Sequence, residues 1–196
     1  DSRSGRLSLN RPKAIHALNL AMCQAMIDAL LKWRDDDAIE AVIIDHSEGR
    51  GFCAGVDIKE LDAHPERIIE VNAGNYATFK AVHRCPVPVI VAVHGFVLGG
   101  GIGITGAADI VVASECATFA LPEVDRGAMG GGAHLQRLFP VQKVRYLFFT
   151  GDSIGAREAQ QYGFIERIVD KEQLRETALQ IAARIAAKSP GMIRIA

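Results

Sequence analysis

Pro86-Val87-Pro88-Val89-Ile90-Val91-Ala92-Val93-His94-Gly95-Phe96-Val97-Leu98-Gly99-Gly100-Gly101-Ile102-Gly103-Ile104-Thr105-Gly106-Ala107-Ala108 contains no formally charged residue at pH 7. That length could mimic a membrane span. Pro86, Pro88, His94 and six glycines break it, however, because these residues interrupt a continuous apolar helix. The stretch divides into a β-branched run at 87–93, a glycine cluster at 99–103 and a small-residue turn. This is the pattern of a fully buried strand over 89–93 that leads into a glycine-rich helix start.

Working outward, short apolar strand candidates at 6–9, 41–45, 110–113 and 117–120 alternate with helical patterns at 19–33, 64–82, 133–138, 141–149, 156–161 and 171–188. Alternation of this kind is α/β order. Asn19 stands where an N-cap belongs, and Ala21, Met22, Ala25, Met26, Ala29, Leu30 and Trp33 recur at helical spacing, so these methionines belong to a core-facing stripe. Pro86 and Pro88 end the 64–82 helix, since proline cannot donate inside one. Gly127 to Gly132 reads as a loop. There is no internal repeat, low-complexity tract or long linker. A further apolar helix begins after Ser189-Pro190-Gly191, which predicts one domain over 1–196 with the start of a C-terminal helical segment from about 189.

The 196 residues are 49% hydrophobic and 23% charged, with 22 Lys and Arg against 23 Asp and Glu. A chain of this length buries enough surface to fold without disulfides or a structural metal. Its near-neutral charge argues against nucleic acid as a partner, because phosphodiester binding draws on clustered Lys and Arg. Cys23, Cys53, Cys85 and Cys116 show no metal-ligand spacing, which predicts isolated thiols in a reducing compartment and, with no apolar leader after Asp1, the cytoplasm.

Gly101-x-Gly103-x-x-Gly106 matches the dinucleotide fingerprint literally, but no acidic residue closes a second strand at the spacing that a ribose contact requires. An oxyanion site is the other use of such a segment, since a helix that begins among glycines points free N–H groups and its positive dipole end at a ligand. Phe52-Cys53-Ala54-Gly55-Val56-Asp57-Ile58-Lys59-Glu60 supplies a second turn that opens a helix. Two such turns could converge on one thioester or ketone oxygen; tight turns without a ligand are the alternative reading.

At these residues the chain resembles the enoyl-CoA hydratase/isomerase (crotonase) superfamily. The likeness rests on Asn10-Arg11-Pro12-Lys13-Ala14 with Ala17-Leu18-Asn19, on the Phe52 to Glu60 segment, on Val89 to Gly101 and on Ala117-Thr118-Phe119-Ala120-Leu121-Pro122-Glu123-Val124, four motifs in order. It implies an α/β spiral of repeated ββα turns that binds an acyl-CoA, forms homotrimers or dimers of trimers, and uses C-terminal helices to trim the site. Carried over by that resemblance, the backbone N–H groups of Val56 and Gly100 hold a thioester enolate. Ala54 meets the adenine through its backbone, Asp57 lies in the same binding segment, and Lys13, Arg50 and Lys59 reach the CoA phosphates. Neither a metal nor a redox cofactor is implied, coenzyme A entering only as part of the substrate.

One departure from the family pattern governs the chemistry. Hydratases of the family carry a glutamate just after the glycine triplet and another in the Pro-Glu motif; here the first position is Gly103, which can be neither acid nor base, and Glu123 is left alone. A single carboxylate serves an isomerase, or a hydrolase that directs water onto a β-ketone and expels a thioester enolate. Gly99 to Gly103, Leu121 to Ala128 and His134-Leu135-Gln136-Arg137-Leu138 are similar to actinobacterial crotonases that open a steroid-ring remnant. The expected reaction is therefore C–C hydrolysis of a cyclic β-keto-acyl-CoA, with single-glutamate isomerase or hydratase, or a non-catalytic acyl-CoA-binding protein, as alternatives. Asp125, by coupling to Glu123, and His134, as a titratable imidazole, are further catalytic candidates, while Arg126 or Arg137 could pair with Asp125 instead.

Overall fold

The computed structural model describes residues 3–126 and 130–196. In chain order these form β1 (Ser4–Leu9), α1 (Leu20–Arg34), β2 (Ala41–His46), β3 (Gly51–Cys53), α2 (Ile58–Ala63), α3 (Ile68–His83), β4 (Val89–Val93), β5 (Phe96–Leu98), α4 (Gly100–Ala107), β6 (Ile110–Ser114), β7 (Thr118–Ala120), α5 (Gly132–Leu135), α6 (Val141–Thr150), β8 (Ile154–Gly155), α7 (Ala156–Gln160), β9 (Ile165–Val169), α8 (Leu174–Ala186) and α9 (Pro190–Ile195). Of the glycine loop expected at 127–132, residues 127–129 lie outside the described ones. Among the described residues no helix is long and apolar enough to cross a membrane.

The charge-free stretch is the centre of the fold. Its strand β4 pairs in parallel with β2 on one side and β6 on the other, Val91 opposite Ile44 and Val111. Val89, Val91 and Val93 face the larger apolar cluster, whereas Ile90 and Ala92 face a second cluster built with Ala178, Ile181 and Ala182 of α8. Burial on both faces is why the strand reads as an unbroken apolar run, as parallel strands do.

Strand order in the first sheet is β1-β2-β4-β6-β9, and in the second β3-β5-β7-β8. The chain therefore steps from the first sheet to the second at β2 to β3, β4 to β5 and β6 to β7, and α2–α3 and then α4 lead back to the first sheet. This is the ββα spiral that the family likeness implies. The β4 to β5 corner needs Gly95: its φ is +59°, and an added Cβ would lie 2.1 Å from the Arg50 carbonyl oxygen. Besides β3, which was expected only as part of a turn, β5, β8 and β9 carry no strand signal in the sequence. β5 and β8 are three and two residues long, and β9 keeps two of its five side chains exposed, so neither length nor alternation marks them. The helix expected from 64 starts instead at Ile68, after a 3-10 turn at Pro65–Arg67.

Candidate active site

Two glycine turns meet at the head of α4. The segment before α1 runs parallel to the segment before α2: the Leu18 N–H donates to the Gly55 carbonyl (2.7 Å) and the Asp57 N–H to the Leu18 carbonyl (2.9 Å), an isolated bridge between Leu18 and Val56. In a parallel bridge of this register the Val56 N–H points away from Leu18. Gly100 opens α4, so its N–H has no intrahelical acceptor. Neither amide donates to a backbone carbonyl among the described residues. The turns also touch, since a Cβ on Gly55 would lie 3.4 Å from the Gly100 nitrogen. Structure thus brings Val56 and Gly100 together, with two amide donors left over.

Glu123 completes this corner. It lies in the 3-10 turn Pro122–Arg126 that follows β7, and its carboxylate sits over Gly99, where an added Cβ would stand 2.9 Å from Oε1. Gly99 must also adopt φ +50°, so glycine is required there twice over. Glu123 Oε2 is buried with no hydrogen-bond partner among the described residues. Burial pushes the carboxyl above its usual range, opposed only by its own backbone N–H. A carboxylate shifted in that direction suits proton transfer nearer neutrality.

The other acid/base candidates make contacts of their own. Asp125 is exposed and turns to the end of α6, where its Oδ2 would be 2.8 Å from a Cβ on Gly151. Arg137 donates to the Gly106 carbonyl (3.3 Å) rather than to Asp125, and the Arg126 side chain is not among those described. His134 packs at the opposite end of α4, its own carbonyl 2.5 Å from a Cβ on Gly106. With a rise of about 1.5 Å per residue, Gly99 and Gly106 are roughly 10 Å apart along the axis. Between them lies Phe79, which stacks edge to face on His134 with centroids 4.9 Å apart. Burial, then Arg137 and His83 nearby, push the His134 imidazole down.

Sequence reasoning missed Phe79. A Cβ on Gly103 would fall 2.4 to 2.7 Å from three carbons of its ring, so the ring fills the space that a side chain at 103 would need. The only hint in the sequence is a glycine inside a helix, which costs about 1 kcal/mol against alanine and calls for a large neighbour that periodicity does not name. The other glycines of the fingerprint are explained by the same close packing, Gly101 against the Cys53 carbonyl and Gly106 against that of His134.

The expected binding residues lie on adjoining segments. Lys13 is in a 3-10 turn at Pro12–Ala14, Arg50 precedes β3 and Lys59 is in the first turn of α2; all three side chains are exposed. The Ala54 N–H donates to the Ile15 carbonyl (2.9 Å), which joins the two segments. Asp57 is committed to the fold: Oδ2 pairs with the Arg11 guanidinium at 2.6 Å, and Oδ1 caps α2 by accepting from the Lys59 and Glu60 N–H groups. Its carboxylate holds the Val56 turn. A separate cavity of about 890 Å³, lined by Gly106, Arg137, Ile181 and Lys188 among others, opens at the far end of α4.

Comparison with known proteins gives the family. The profile described as enoyl-CoA hydratase/isomerase matches residues 4–193. The chain is 47% identical over 173 residues to a (7aS)-7a-methyl-1,5-dioxo-2,3,5,6,7,7a-hexahydro-1H-indene-carboxyl-CoA hydrolase of Mycobacterium tuberculosis, covering 87% of this chain and 70% of that one. Its counterpart of the same name in Rhodococcus jostii is 50% identical over 157 residues, 79% of this chain and 61% of the relative's length. A crystal structure of an enoyl-CoA hydratase from Mycobacterium smegmatis superimposes with a TM-score of 0.94 at 31% identity, over 99% of this chain and 77% of the other. Motifs, spiral topology and paired amide turns together make this chain a member of the enoyl-CoA hydratase/isomerase family.

Proposed function

We propose that the protein opens a cyclic β-keto-acyl-CoA by C–C hydrolysis, with the Val56 and Gly100 amides holding the thioester enolate and Glu123 as the acid/base. The observation that carries this reading is a half-buried carboxylate, with one oxygen lacking a hydrogen-bond partner among the described residues, beside two convergent amide turns. Glu123 takes a proton from water as the hydroxyl oxygen bonds to the ring ketone carbon. Collapse of that tetrahedral centre forms the new carboxyl group and breaks the C–C bond, whose electron pair passes into the thioester as an enolate. The two amides stabilise the enolate oxygen, a donor of this kind being worth about 10² to 10³ in rate. Glu123 then returns its proton to the α-carbon. Every electron pair stays within substrate and water, so the sequence calls for no metal or redox cofactor.

The relatives in Mycobacterium tuberculosis and Rhodococcus jostii, named as hydrolases of a dioxo-hexahydroindene carboxyl-CoA, support a fused cyclic diketone as the acyl group. Lys13, Arg50 and Lys59 would meet the CoA phosphates, and the Ala54 backbone the adenine. The family likeness adds a homotrimer or dimer of trimers, and the isolated thiols suit the cytoplasm; sedimentation and fractionation would test these.

The deciding experiment gives the purified protein and its Glu123→Gln variant a cyclic β-keto-acyl-CoA and, separately, crotonyl-CoA. Ring opening that falls at least about 10²-fold in the variant, with CoA binding retained, is the expected result. Unchanged turnover by Glu123→Gln would remove Glu123 from the mechanism. Fast hydration of crotonyl-CoA without ring opening would make the enzyme a single-glutamate hydratase.

A further inference from the structure

Gly99 and Gly103 are four residues apart at the head of α4, so they lie one above the other on the same helix face. Over Gly99 stands the Glu123 carboxylate; over Gly103 stands the Phe79 ring. The position beside the acid/base, about one helical turn away, is thus an aromatic surface. Phe79 itself is only partly buried and packs against the main apolar cluster. Its ring is held between Gly103 and the edge of His134, which fixes it where a side chain at 103 would stand.

We propose that Phe79 is the specificity-determining residue of this site: by occupying the volume above Gly103 it bars a second acid/base from the face of α4 that carries Glu123, and it offers an alicyclic acyl skeleton an apolar wall. The inference rests on Glu123 as the acid/base and deepens that reading by naming what sets the reaction and the shape of the acyl group. An apolar wall gives a hydrocarbon ring dispersion contacts that a short linear acyl chain cannot fill. It also gives no hydrogen bond to a water placed beside the acyl β-carbon, so water is directed by Glu123 alone. Residue 79 and residue 103 are therefore a complementary pair, large against none, and neither can be changed in isolation without altering the site.

The test compares the full-length parent with Gly103→Glu, Phe79→Leu, and the double variant Phe79→Ala with Gly103→Glu, all checked for folding by thermal melts and for retention on immobilised CoA. Gly103→Glu alone should melt lower than the parent, because its Cβ meets the ring. In the double variant the introduced carboxylate gains room. Crotonyl-CoA hydration, in which a hydroxyl oxygen bonds to the β-carbon and a proton is delivered to the α-carbon, should rise at least about 10²-fold over the parent. That gain should vanish when Glu123→Gln is added. Phe79→Leu, which keeps an apolar side chain but withdraws the ring, should lower the kcat/KM ratio of cyclic to crotonyl substrates by roughly tenfold. A Gly103→Glu protein as stable as the parent and as active in hydration as the double variant would overturn the proposal, as would an unchanged substrate ratio in Phe79→Leu or a folded, CoA-binding double variant without hydration. Failure of the parent to open cyclic ketones would count against the hydrolase reading alone, since the gain in hydration is read between variants.

Discussion

His16 shows how one side chain can hold a site that it never enters. Its backbone and that of Ile15 lie in the left-handed region, φ 52° and 47°, which costs non-glycine residues of order 1 to 3 kcal/mol each. Contacts offset this: His16 Nδ1 accepts from the Arg11 N–H at 2.9 Å, and the Ile15 carbonyl accepts from Ala54. Burial, then the nearby His46, push the imidazole down to about 4. A folded-state value below the unfolded 6.5 means that the unfolded chain binds the extra proton. Its stabilising contribution is therefore complete above about pH 6.5 and is lost as the pH falls toward 4. Glu123, displaced upward, acts in the opposite sense, so the comparison must be between proteins. His16→Asn keeps an acceptor and tolerates the left-handed backbone but does not titrate. Urea midpoints measured from pH 7 to 4.5 should fall less steeply for His16→Asn than for the parent; identical slopes would exclude His16 as the titrating group.

Among elements, α2 is short and depends on its first residue. Asp57 caps it and ties it to Arg11, and both bonds fix the turn that presents the Val56 amide. Asp57→Ala removes the cap, worth about 1 kcal/mol, and leaves a partly buried guanidinium unpaired. Together these should cost about 2 to 4 kcal/mol in urea unfolding. Asp57→Asn keeps an oxygen for the cap and should recover part of that loss. Since the amide turn loosens in both, kcat should fall along with stability; a loss seen only as raised KM would instead assign the carboxylate to the ligand.

The whole molecule depends on covering both faces of its parallel sheet. The main cluster fills one face, and α8 closes the other by laying Ala178, Ile181 and Ala182 on Ile43, Ile90 and Val112. Arg175 adds a pair with buried Asp45 at 3.2 Å, which Arg6 also contacts at 2.9 Å. Ala178 is wholly buried, so Ala178→Asp places an unpaired charge against the sheet and should cost about 3 kcal/mol or more. A variant with the melting temperature of the parent would show that α8 is not essential cover.

The strand at 89–93, the helix capped by Asn19, the α/β order and the turns around Val56 and Gly100 were all legible in the sequence. Each depends on neighbours within a few residues: β-branched runs, a capping side chain, or glycines before a helix. Glu123 was legible too, through the ordered motifs of the family. Tertiary structure alone decided that β3, β5, β7 and β8 form a second sheet, because strands of two or three residues exist only through their partners. It also decided that Asp57 is a cap, that Asp125 packs against Gly151 and His134 against Phe79, and that Phe79 stands over Gly103. These follow from contacts across 22 or more residues of chain, where packing volume rather than local periodicity selects the neighbour.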